Sequence, residues 1–249
     1  MKALFNDMIV EELSLTLDDR GLQYGDGLFE TIIIKAGKIQ LLDKHLSRLK
    51  KGMQVLHMET PAYFTINYFT ACIARLAEIN QTETMVANVM VWRKPGGLYT
   101  PLEQAVNLLI KCRPYQEKAK KLHKVGICRS VSNYYQSYTP YKSNSLKYVL
   151  AAIEKKESKM DDLIILDASG YISETIDKNI FWISDKTIFT PAVKTGCIAG
   201  VMLDHLMDTW NVERKNVVAG FYELKSLKQA EKIFACNASG VYEVGEVVE

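Results

Sequence analysis

The 249-residue chain is 48% apolar and 24% charged, which is ordinary for a soluble globular enzyme. Its formal net charge of +2 argues against nucleic acid and anionic membranes as partners. No apolar run is long enough to span a membrane, and the first residues, MKALFNDMIVEE, turn acidic too soon for a signal peptide. Five scattered cysteines without a CxxC pair predict free thiols in a reducing cytoplasm, with no disulfide frame or metal site.

The first half of the sequence predicts strands and two helices. Asp43 and the Thr60-Pro61 pair are the predicted helix starts, because aspartate and threonine cap helix N-termini and proline fits the first turn. Apolar side chains follow both starts at helical spacing. Strands, the first of them a hairpin around Asn6-Asp7, are predicted at Lys2–Val10, Leu28–Lys35, Ile39–Leu42, Met85–Trp92 and Ala105–Cys112.

A change in composition divides the chain. Arg113–Lys124 contains Pro114 and a run of lysines, so we predict a linker at residues 113–124 between an N-terminal α+β domain (1–112) and a C-terminal domain (125–249). A solvated helix is the alternative for this segment. Strands are predicted beyond it at Val125–Val131, Asp162–Leu166, Tyr171–Glu174, Asn179–Ser184, Thr187–Thr190 and Ile233–Asn237, and helices near Leu146, after Gly196–Gly200 and at Ser226–Lys232.

The stretch Asn133–Ala152 carries the strongest chemical signal. Lys142 follows a polar, aromatic loop and precedes a predicted helix. Burial lowers the pKa of a lysine, and such a lysine can form a Schiff base and transfer protons near neutral pH. A solvated surface lysine is the alternative. A partly apolar pocket is predicted from the tyrosines Tyr134, Tyr135, Tyr138 and Tyr141, and a helix with an apolar stripe is predicted from Leu146, Val149, Leu150 and Ile153.

Three further features could serve a cofactor, although each has an ordinary structural alternative. The glycines of Gly196–Gly200 stand at a probable helix N-terminus, where backbone N–H groups can bind phosphate or simply form a cap. Glu174 ends a predicted strand, where its carboxylate could pair with a protonated ring nitrogen or with a surface lysine. Arg48 lies among apolar neighbours on the helix that begins at Asp43, and it could reach an anion or remain in solvent.

Taken in order, these segments resemble the fold-type IV, pyridoxal-phosphate-dependent enzymes of the class IV aminotransferase family. The resemblance covers nearly the whole chain and is closest to the aminodeoxychorismate lyase branch. It rests on the order and spacing of several motifs. These are DRGLQYGDGLFET (Asp19–Thr31), HLSRL (His45–Leu49), the lysine segment with YVLAA, DDLIILDASGYISE (Asp161–Glu174), NIF (Asn179–Phe181), TPAVKTGCIAGVM (Thr190–Met202) and AEKIFACNA (Ala230–Ala238).

The resemblance implies a two-domain α+β fold like that of D-amino acid aminotransferase, with a smaller N-terminal and a larger C-terminal domain. It implies pyridoxal 5′-phosphate between the domains, held covalently by Lys142, and a homodimer. Glu174 would pair with the ring nitrogen and keep it protonated. The phosphate would be bound by Arg48, by the backbone amides of Val201 and Met202, and by Ser239 or its neighbours, with Asn179 and Thr175 in the cofactor-side turn. A substrate carboxylate would meet Tyr24 and Arg93, since the arginine fork can bind it bidentately.

The chain departs from the family pattern at two positions. The family lysine stands three residues before an asparagine and eight before the apolar pair of the next helix, whereas Lys142 is two before Asn144 and seven before Val149. A one-residue deletion in the loop restores Lys142, and without it Tyr141 takes the lysine position. Lys147 is an alternative amine, expected to face elsewhere from one turn into the helix. The second departure is Leu203, which stands where the family has arginine.

The resemblance leaves the reaction open. A lyase would release pyruvate and form 4-aminobenzoate through an external aldimine, with the lysine as the proton-transfer group. The alternatives are an aminotransferase for branched-chain or D-amino acids and a non-catalytic paralogue that binds pyridoxal phosphate or another ligand. In the catalytic cases the substrate is a small amino compound that carries a carboxylate.

Overall fold

The computed structural model describes residues 1–117, 119–143 and 145–248. Lys118, inside the predicted linker, Asn144, used in the lysine register, and Glu249, the end of the predicted C-terminal domain, lie outside the described residues. The chain divides into two compact units. Unit 1 comprises Met1–Glu117 with Tyr141–Asn144, and unit 2 comprises Lys118–Pro140 with Ser145–Glu249.

Unit 1 is built on an antiparallel sheet with strand order β2-β1-β6-β5-β3-β4. Its strands are β1 (Ala3–Phe5), β2 (Met8–Val10), β3 (Gly27–Lys35), β4 (Lys38–Ile39), β5 (Met85–Arg93) and β6 (Val106–Pro114). The predicted hairpin is present, with Ala3 opposite Val10 and both turn residues, Asn6 and Asp7, at positive φ. Buried side chains of β3 and β5, among them Ile32 and Val89, form the core with apolar faces of the helices.

The helices of unit 1 are α1 (Arg20–Tyr24), α2 (Leu42–Val55) and α3 (Ile66–Ile79). Both predicted starts of the long helices were wrong. Helix α2 begins before Asp43, which lies in its first turn, because the chain enters through Leu41 at a φ of 50°. Helix α3 is capped by the side chain of Thr65, which accepts a hydrogen bond from the N–H of Tyr68. The predicted start at Thr60 lies in the preceding irregular segment.

Unit 2 is built on a mixed sheet with strand order β12-β11-β10-β13-β14-β7-β8-β9. A hairpin turn at Asp167–Gly170 joins β8 to β9 in antiparallel pairing. The strands are β7 (Lys121–Ile127), β8 (Asp162–Leu166), β9 (Ile172–Thr175), β10 (Asn179–Ser184), β11 (Thr187–Pro191), β12 (Asn216–Gly220), β13 (Lys232–Asn237) and β14 (Gly240–Val247). The helices are α4 (Leu146–Ser158), α5 (Val201–Val212) and α6 (Lys225–Lys228), and a 3₁₀ turn covers Val193–Thr195.

Helix α4 has the opposite phase from the one predicted. The apolar positions Leu146, Val149, Leu150 and Ile153 are 44–64% exposed. Ala151 is fully buried instead, and it packs with Leu163 and Ile165 of β8. Lys147 and Tyr148 lie on this inward side, where both make hydrogen bonds to buried groups. The expectation that Lys147 faces elsewhere was therefore wrong, because tertiary contacts and not apolar spacing decide which face is buried.

The boundary between the units falls at residues 117/118, inside the predicted linker. Strands nevertheless occupy both ends of that linker, since β6 continues to Pro114 and β7 begins at Lys121. The segment Tyr141–Asn144 returns to unit 1, which composition alone did not indicate. Within the described residues, no helix is long and apolar enough to cross a membrane.

The cap of α3 is directly testable, because two threonines precede this helix and only Thr65 caps it. Thr65→Ala should lower the free energy of unfolding by about 1 kcal/mol, since it removes a side-chain N-cap. Thr60→Ala, also at an exposed position, is the matched control and should stay within about 0.5 kcal/mol of the parent. Urea denaturation of both variants measures the difference. An equal loss for both variants would contradict the assigned cap.

Candidate active site

Unit 2 contains a buried carboxylate. Glu174, in β9, is only 3% exposed. Its Oε1 accepts hydrogen bonds from Asn133 Nδ2 at 2.9 Å and from the Tyr148 hydroxyl at 2.7 Å. Its Oε2 accepts the backbone N–H of Ile198 at 3.0 Å. Three donors from three different segments of the chain thus fix the orientation of this carboxylate.

An ammonium group stands beside this carboxylate. Lys147 Nζ donates to Asn133 Oδ1 at 2.6 Å and lies 3.8 Å from Glu174 Oε1. It also lies 4.7 Å from the centre of the Tyr148 ring. Burial raises the pKa of Glu174, which the Lys147 charge opposes. Burial likewise lowers the pKa of Lys147, which the Glu174 charge opposes.

The N-terminus of α5 follows directly from this cluster. Gly200 is the N-cap residue, and no side chain caps the helix. The Asn179 amide donates to the carbonyl of Ile198 at 2.8 Å, and its Oδ1 lies so close to Gly200 that any Cβ there would collide with it. The backbone N–H groups of Val201 and Met202 thus stand at the start of a helix, where the helix dipole favours an anion.

The residue after this turn is buried. Leu203 packs with Phe181 and Trp210 in an apolar cluster behind the helix start. The leucine in place of the family arginine therefore fills core space beneath the turn.

Ser239 and Thr175 lie near the turns at one end of the sheet of unit 2. Ser239 is in the β13–β14 turn, where its N–H donates to Asn237 Oδ1 at 2.9 Å. The Asn237 amide in turn donates to the carbonyl of Asp177, in the β9–β10 turn, at 3.3 Å. Thr175 donates its hydroxyl hydrogen to Asp162 at 2.9 Å. Hydrogen bonds thus tie the two turns together.

Unit 1 contains its own buried ionic cluster, which includes Arg48. The Arg48 guanidinium binds Glu30 through two hydrogen bonds of 2.7 and 2.5 Å, and His45 Nδ1 lies 2.6 Å from the same carboxylate. Burial raises the pKa of Glu30, but the charge of Arg48 and the bond to His45 outweigh it and lower the pKa to about 2. Sequence analysis selected Arg48 and missed the two partners that fix it.

Lys142 belongs to unit 1 through its contacts. Its carbonyl accepts the N–H of Phe29 at 2.8 Å. Its ammonium lies 3.4 Å from the Thr31 hydroxyl and 4.5 Å from the centre of the Phe29 ring. Of the tyrosines from which a pocket around this lysine was predicted, Tyr134, Tyr135 and Tyr138 belong to unit 2 and are 40–59% exposed. A phenyl ring and a hydroxyl of β3 are thus among the neighbours of Lys142 in unit 1.

The two residues predicted to bind a substrate carboxylate have different surroundings. Tyr24, at the end of α1, is partly exposed, and its ring centre lies 5.7 Å from that of Tyr99 with the two ring planes tilted by 49°. Arg93 is buried, and its donors meet Asp26, the carbonyls of Leu56 and His57, and Gln104. All five of its N–H groups thus have acceptors inside unit 1. This pattern is typical of a structural arginine and favours Tyr24 over Arg93 for substrate contact.

The sequence did not single out Asn133, Tyr148 and Ile198 as partners of Glu174. Backbone N–H groups carry no sequence signal. Tyr148 was not selected because it lies on the face of α4 opposite to the predicted apolar stripe. Asn133 opens the polar loop before Lys142 and pairs with Asp167 as an isolated bridge, which only a structure reveals. The sequence offered one signal for these partners. Lys147 and Tyr148, whose long side chains end in polar groups, are adjacent in a helix that was predicted from apolar spacing.

The residues of unit 2 fit a phosphorylated pyridine. The buried, oriented carboxylate of Glu174 suits a protonated ring nitrogen, because a buried charge needs an opposite charge or hydrogen bonds. The uncapped start of α5 suits a phosphate group, with Gly200 allowing the close turn. Within the described parts of the chain, no group of His, Cys, Asp and Glu side chains could hold a metal ion.

Residues 27–247 match the family described as Amino-transferase class IV. An aminodeoxychorismate lyase from Vibrio harveyi is 25% identical over 227 residues, 89% of this chain and 83% of the relative. A probable branched-chain-amino-acid aminotransferase from Rickettsia felis is 31% identical over 68% of this chain and 60% of its own. The solved 4-amino-4-deoxychorismate lyase of Pseudomonas aeruginosa has a TM-score of 0.86 at 25% identity, covering 99% of this chain and 92% of that one. These findings confirm the predicted family and fold class.

The ionic cluster of unit 1 predicts a specific dependence of stability on pH. Glu30→Gln should cost about 3–5 kcal/mol, because it leaves the Arg48 charge buried without a partner. The folded-state pKa of Glu30 is lowered from 4.5 to about 2, so its contribution is fully present above pH 4.5 and is lost as the pH falls towards 2.

Denaturant titrations of the parent and of Glu30→Gln over this pH range measure the effect. The difference between the two should shrink as the pH falls. Glu78→Gln, at an exposed position on α3, is the control and should give a small difference without this trend. A pH-independent difference for Glu30→Gln would contradict the assigned ionic cluster.

Proposed function

The chain belongs to the class IV aminotransferase family of lyases and aminotransferases, and we propose that it is a pyridoxal 5′-phosphate-dependent lyase that releases pyruvate from aminodeoxychorismate to give 4-aminobenzoate. One observation carries the cofactor part of the proposal, and the similarity to the Vibrio harveyi aminodeoxychorismate lyase supports the reaction. Glu174 is a fully buried carboxylate whose orientation is fixed by three donors, at the position where the family pairs the cofactor ring nitrogen.

The cofactor, when bound, supplies an electron sink, because its protonated ring accepts the electron pair left by bond cleavage. Glu174 holds that ring proton through charge and hydrogen bonding. Val201 and Met202 donate their N–H groups to the phosphate, and Asn179 fixes the Ile198 carbonyl so that the turn before α5 keeps its shape.

Two more groups complete the proposed phosphate site. Ser239 supplies further donors from the β13–β14 turn. Arg48 supplies the positive charge, and its orientation is fixed by the two hydrogen bonds to Glu30. If either Arg48 or Glu30 were removed, the other would remain as a buried charge without its partner. The ion pair therefore keeps the guanidinium in one position.

Lys142 is the amine proposed to hold the cofactor covalently and to transfer protons through its Nζ. In the pyridine ring the nitrogen and the aldehyde-bearing carbon lie on opposite sides. An amine in contact with the carboxylate that pairs the nitrogen therefore cannot hold the aldehyde carbon at the same time. Lys147 lies 3.8 Å from Glu174 and occupies the nitrogen side. The other candidate in the segment, Lys142, is left for the aldehyde side.

The proton-transfer role follows from the chemistry of lysine. Once the substrate amine has displaced it from the cofactor, unprotonated Lys142 Nζ would take the proton from the substrate carbon next to the amine nitrogen, and the same group would return a proton to the departing enolpyruvate.

A class IV aminotransferase is the second candidate function, and the Rickettsia felis relative favours it because it is 31% identical. Both candidates need an amino substrate with a carboxylate, for which Tyr24 is the proposed contact. A non-catalytic paralogue that binds the same cofactor without a covalent bond is the third reading, since one residue is missing from the lysine loop relative to the family.

A homodimer is also proposed. Helix α4 presents Val149, Leu150 and Ile153 to solvent at 44–51% exposure, on the face opposite Ala151. A row of apolar side chains on one helix face commonly marks a protein–protein contact, and a second copy of the chain is the proposed partner.

A cytoplasmic location is proposed because all five cysteines are free thiols and buried.

The covalent assignment is tested by borohydride trapping. The parent protein with added pyridoxal phosphate should show an absorbance band that borohydride abolishes, and peptide mass mapping should find the reduced adduct on Lys142. Lys142→Ala should lose the adduct, and Lys147→Met, the matched control, should keep it. An adduct on Lys147 would contradict the lysine assignment, and no adduct at saturating cofactor would favour the non-catalytic paralogue.

The reaction type is tested by its co-substrate requirement. Aminodeoxychorismate alone should yield pyruvate and 4-aminobenzoate in equal amounts, because elimination needs no acceptor. Coupled detection of pyruvate with lactate dehydrogenase measures the release. Amino-group transfer from branched-chain or D-amino acids that appears only when a keto acid is supplied, together with no pyruvate from aminodeoxychorismate, would instead assign the aminotransferase.

A further inference from the structure

Lys147 has no role in the proposed chemistry, yet its ammonium group is held beside the Glu174 carboxylate. Its Nζ donates to Asn133 Oδ1 at 2.6 Å, and Asn133 donates through its other amide atom to Glu174 at 2.9 Å. A direct ion pair of 3.8 Å closes the triangle. The lysine side chain is 29% exposed and the glutamate side chain 3%, so one end of the pair reaches solvent.

The groups that face this pair come from three segments. Tyr148 of α4 donates its hydroxyl hydrogen to Glu174 at 2.7 Å. Cys197, just before α5, is buried, and burial raises the pKa of its thiol to about 12, so it is uncharged at neutral pH. Asn133 and the Ile198 N–H are neutral. Lys147 is therefore the one cation among the described side chains of unit 2 that bear on Glu174.

We propose that Lys147 is a resident counter-ion of Glu174: it keeps the carboxylate ionised before the cofactor binds, and it competes with the ring nitrogen for that carboxylate. The inference rests on the proposed function, because it takes Glu174 as the partner of a protonated pyridine. Lys147 is thus a positioning residue, and it tunes cofactor affinity through Glu174.

The competition follows from charge. A carboxylate buried without a cation is costly, and it becomes neutral by binding a proton instead. With Lys147 present it remains charged and ready to pair. When a second cation contacts the same carboxylate, two positive charges lie close together in a largely buried site, and like charges there repel strongly.

This repulsion between the two cations is relieved at Lys147 Nζ. The ammonium releases a proton to solvent through its exposed end, or it moves away from the carboxylate. Its pKa is already lowered by burial, which makes proton loss easier. Cofactor binding should therefore be weaker than in a protein without this cation, and it should strengthen as the pH rises and Lys147 becomes neutral.

The test is a double-mutant cycle on the full chain with Lys147→Met, Glu174→Gln and the double variant, with Lys147→Arg as the charge-conserving control. The first readout is the unfolding equilibrium without cofactor. Lys147→Met should shift it at least about tenfold more with Glu174 present than in the Glu174→Gln background, because charged pairs this close couple by about 1.4 kcal/mol or more. Equal shifts in both backgrounds would overturn the resident ion pair.

The second readout is the dissociation constant of pyridoxal phosphate, measured by fluorescence quenching. Lys147→Met should tighten binding about tenfold at neutral pH with Glu174 present and leave it unchanged in the Glu174→Gln background. Lys147→Arg should bind no more tightly than the parent. Weaker binding by Lys147→Met, or the same change in both backgrounds, would overturn the competition.

The two readouts separate this inference from the proposed function. If neither the parent nor Lys147→Met binds pyridoxal phosphate, the proposed function and the competition both fail, while the unfolding cycle still decides whether the ion pair exists. If the parent binds and Lys147→Met gives no tightening, the proposed function stands and the competition alone fails.

Discussion

The burial of one carboxylate sets the requirements for the rest of unit 2. Glu174 is withdrawn from water, so every lone pair it exposes must find a donor, and the fold supplies Asn133, Tyr148 and the Ile198 N–H. These donors come from a loop, a helix and a turn that lie far apart in the sequence. The strands of unit 2 bring them together, and the turn that supplies Ile198 also begins α5.

Unit 1 also contains a buried charged group, but there the group is an arginine. There a buried arginine must keep its position, and Glu30 with His45 fixes it. Each unit thus contains a buried charge whose neighbours are arranged before any ligand arrives.

The fold class, most strands and the start of α5 were predictable, because they depend on local patterns such as the Asn6-Asp7 turn and the glycines before α5. Motif order singled out Arg48 and Glu174, and both side chains are buried. Helix α4 shows the limit: its apolar spacing was real, but those residues face solvent and Lys147 faces inward. Which face of a helix is covered is decided by other parts of the fold, so Tyr148 and Asn133 could not be found from the sequence.

The central claim is that Glu174 pairs with a protonated ring nitrogen, and the protonation state of that nitrogen tests it most directly. The measurement is the ¹⁵N NMR shift of pyridoxal phosphate labelled at the ring nitrogen, bound to the parent protein and to Glu174→Gln at neutral pH. The account predicts a protonated nitrogen in the parent and an unprotonated one in the variant. An unprotonated nitrogen in the parent, or the same shift in both proteins, would contradict it.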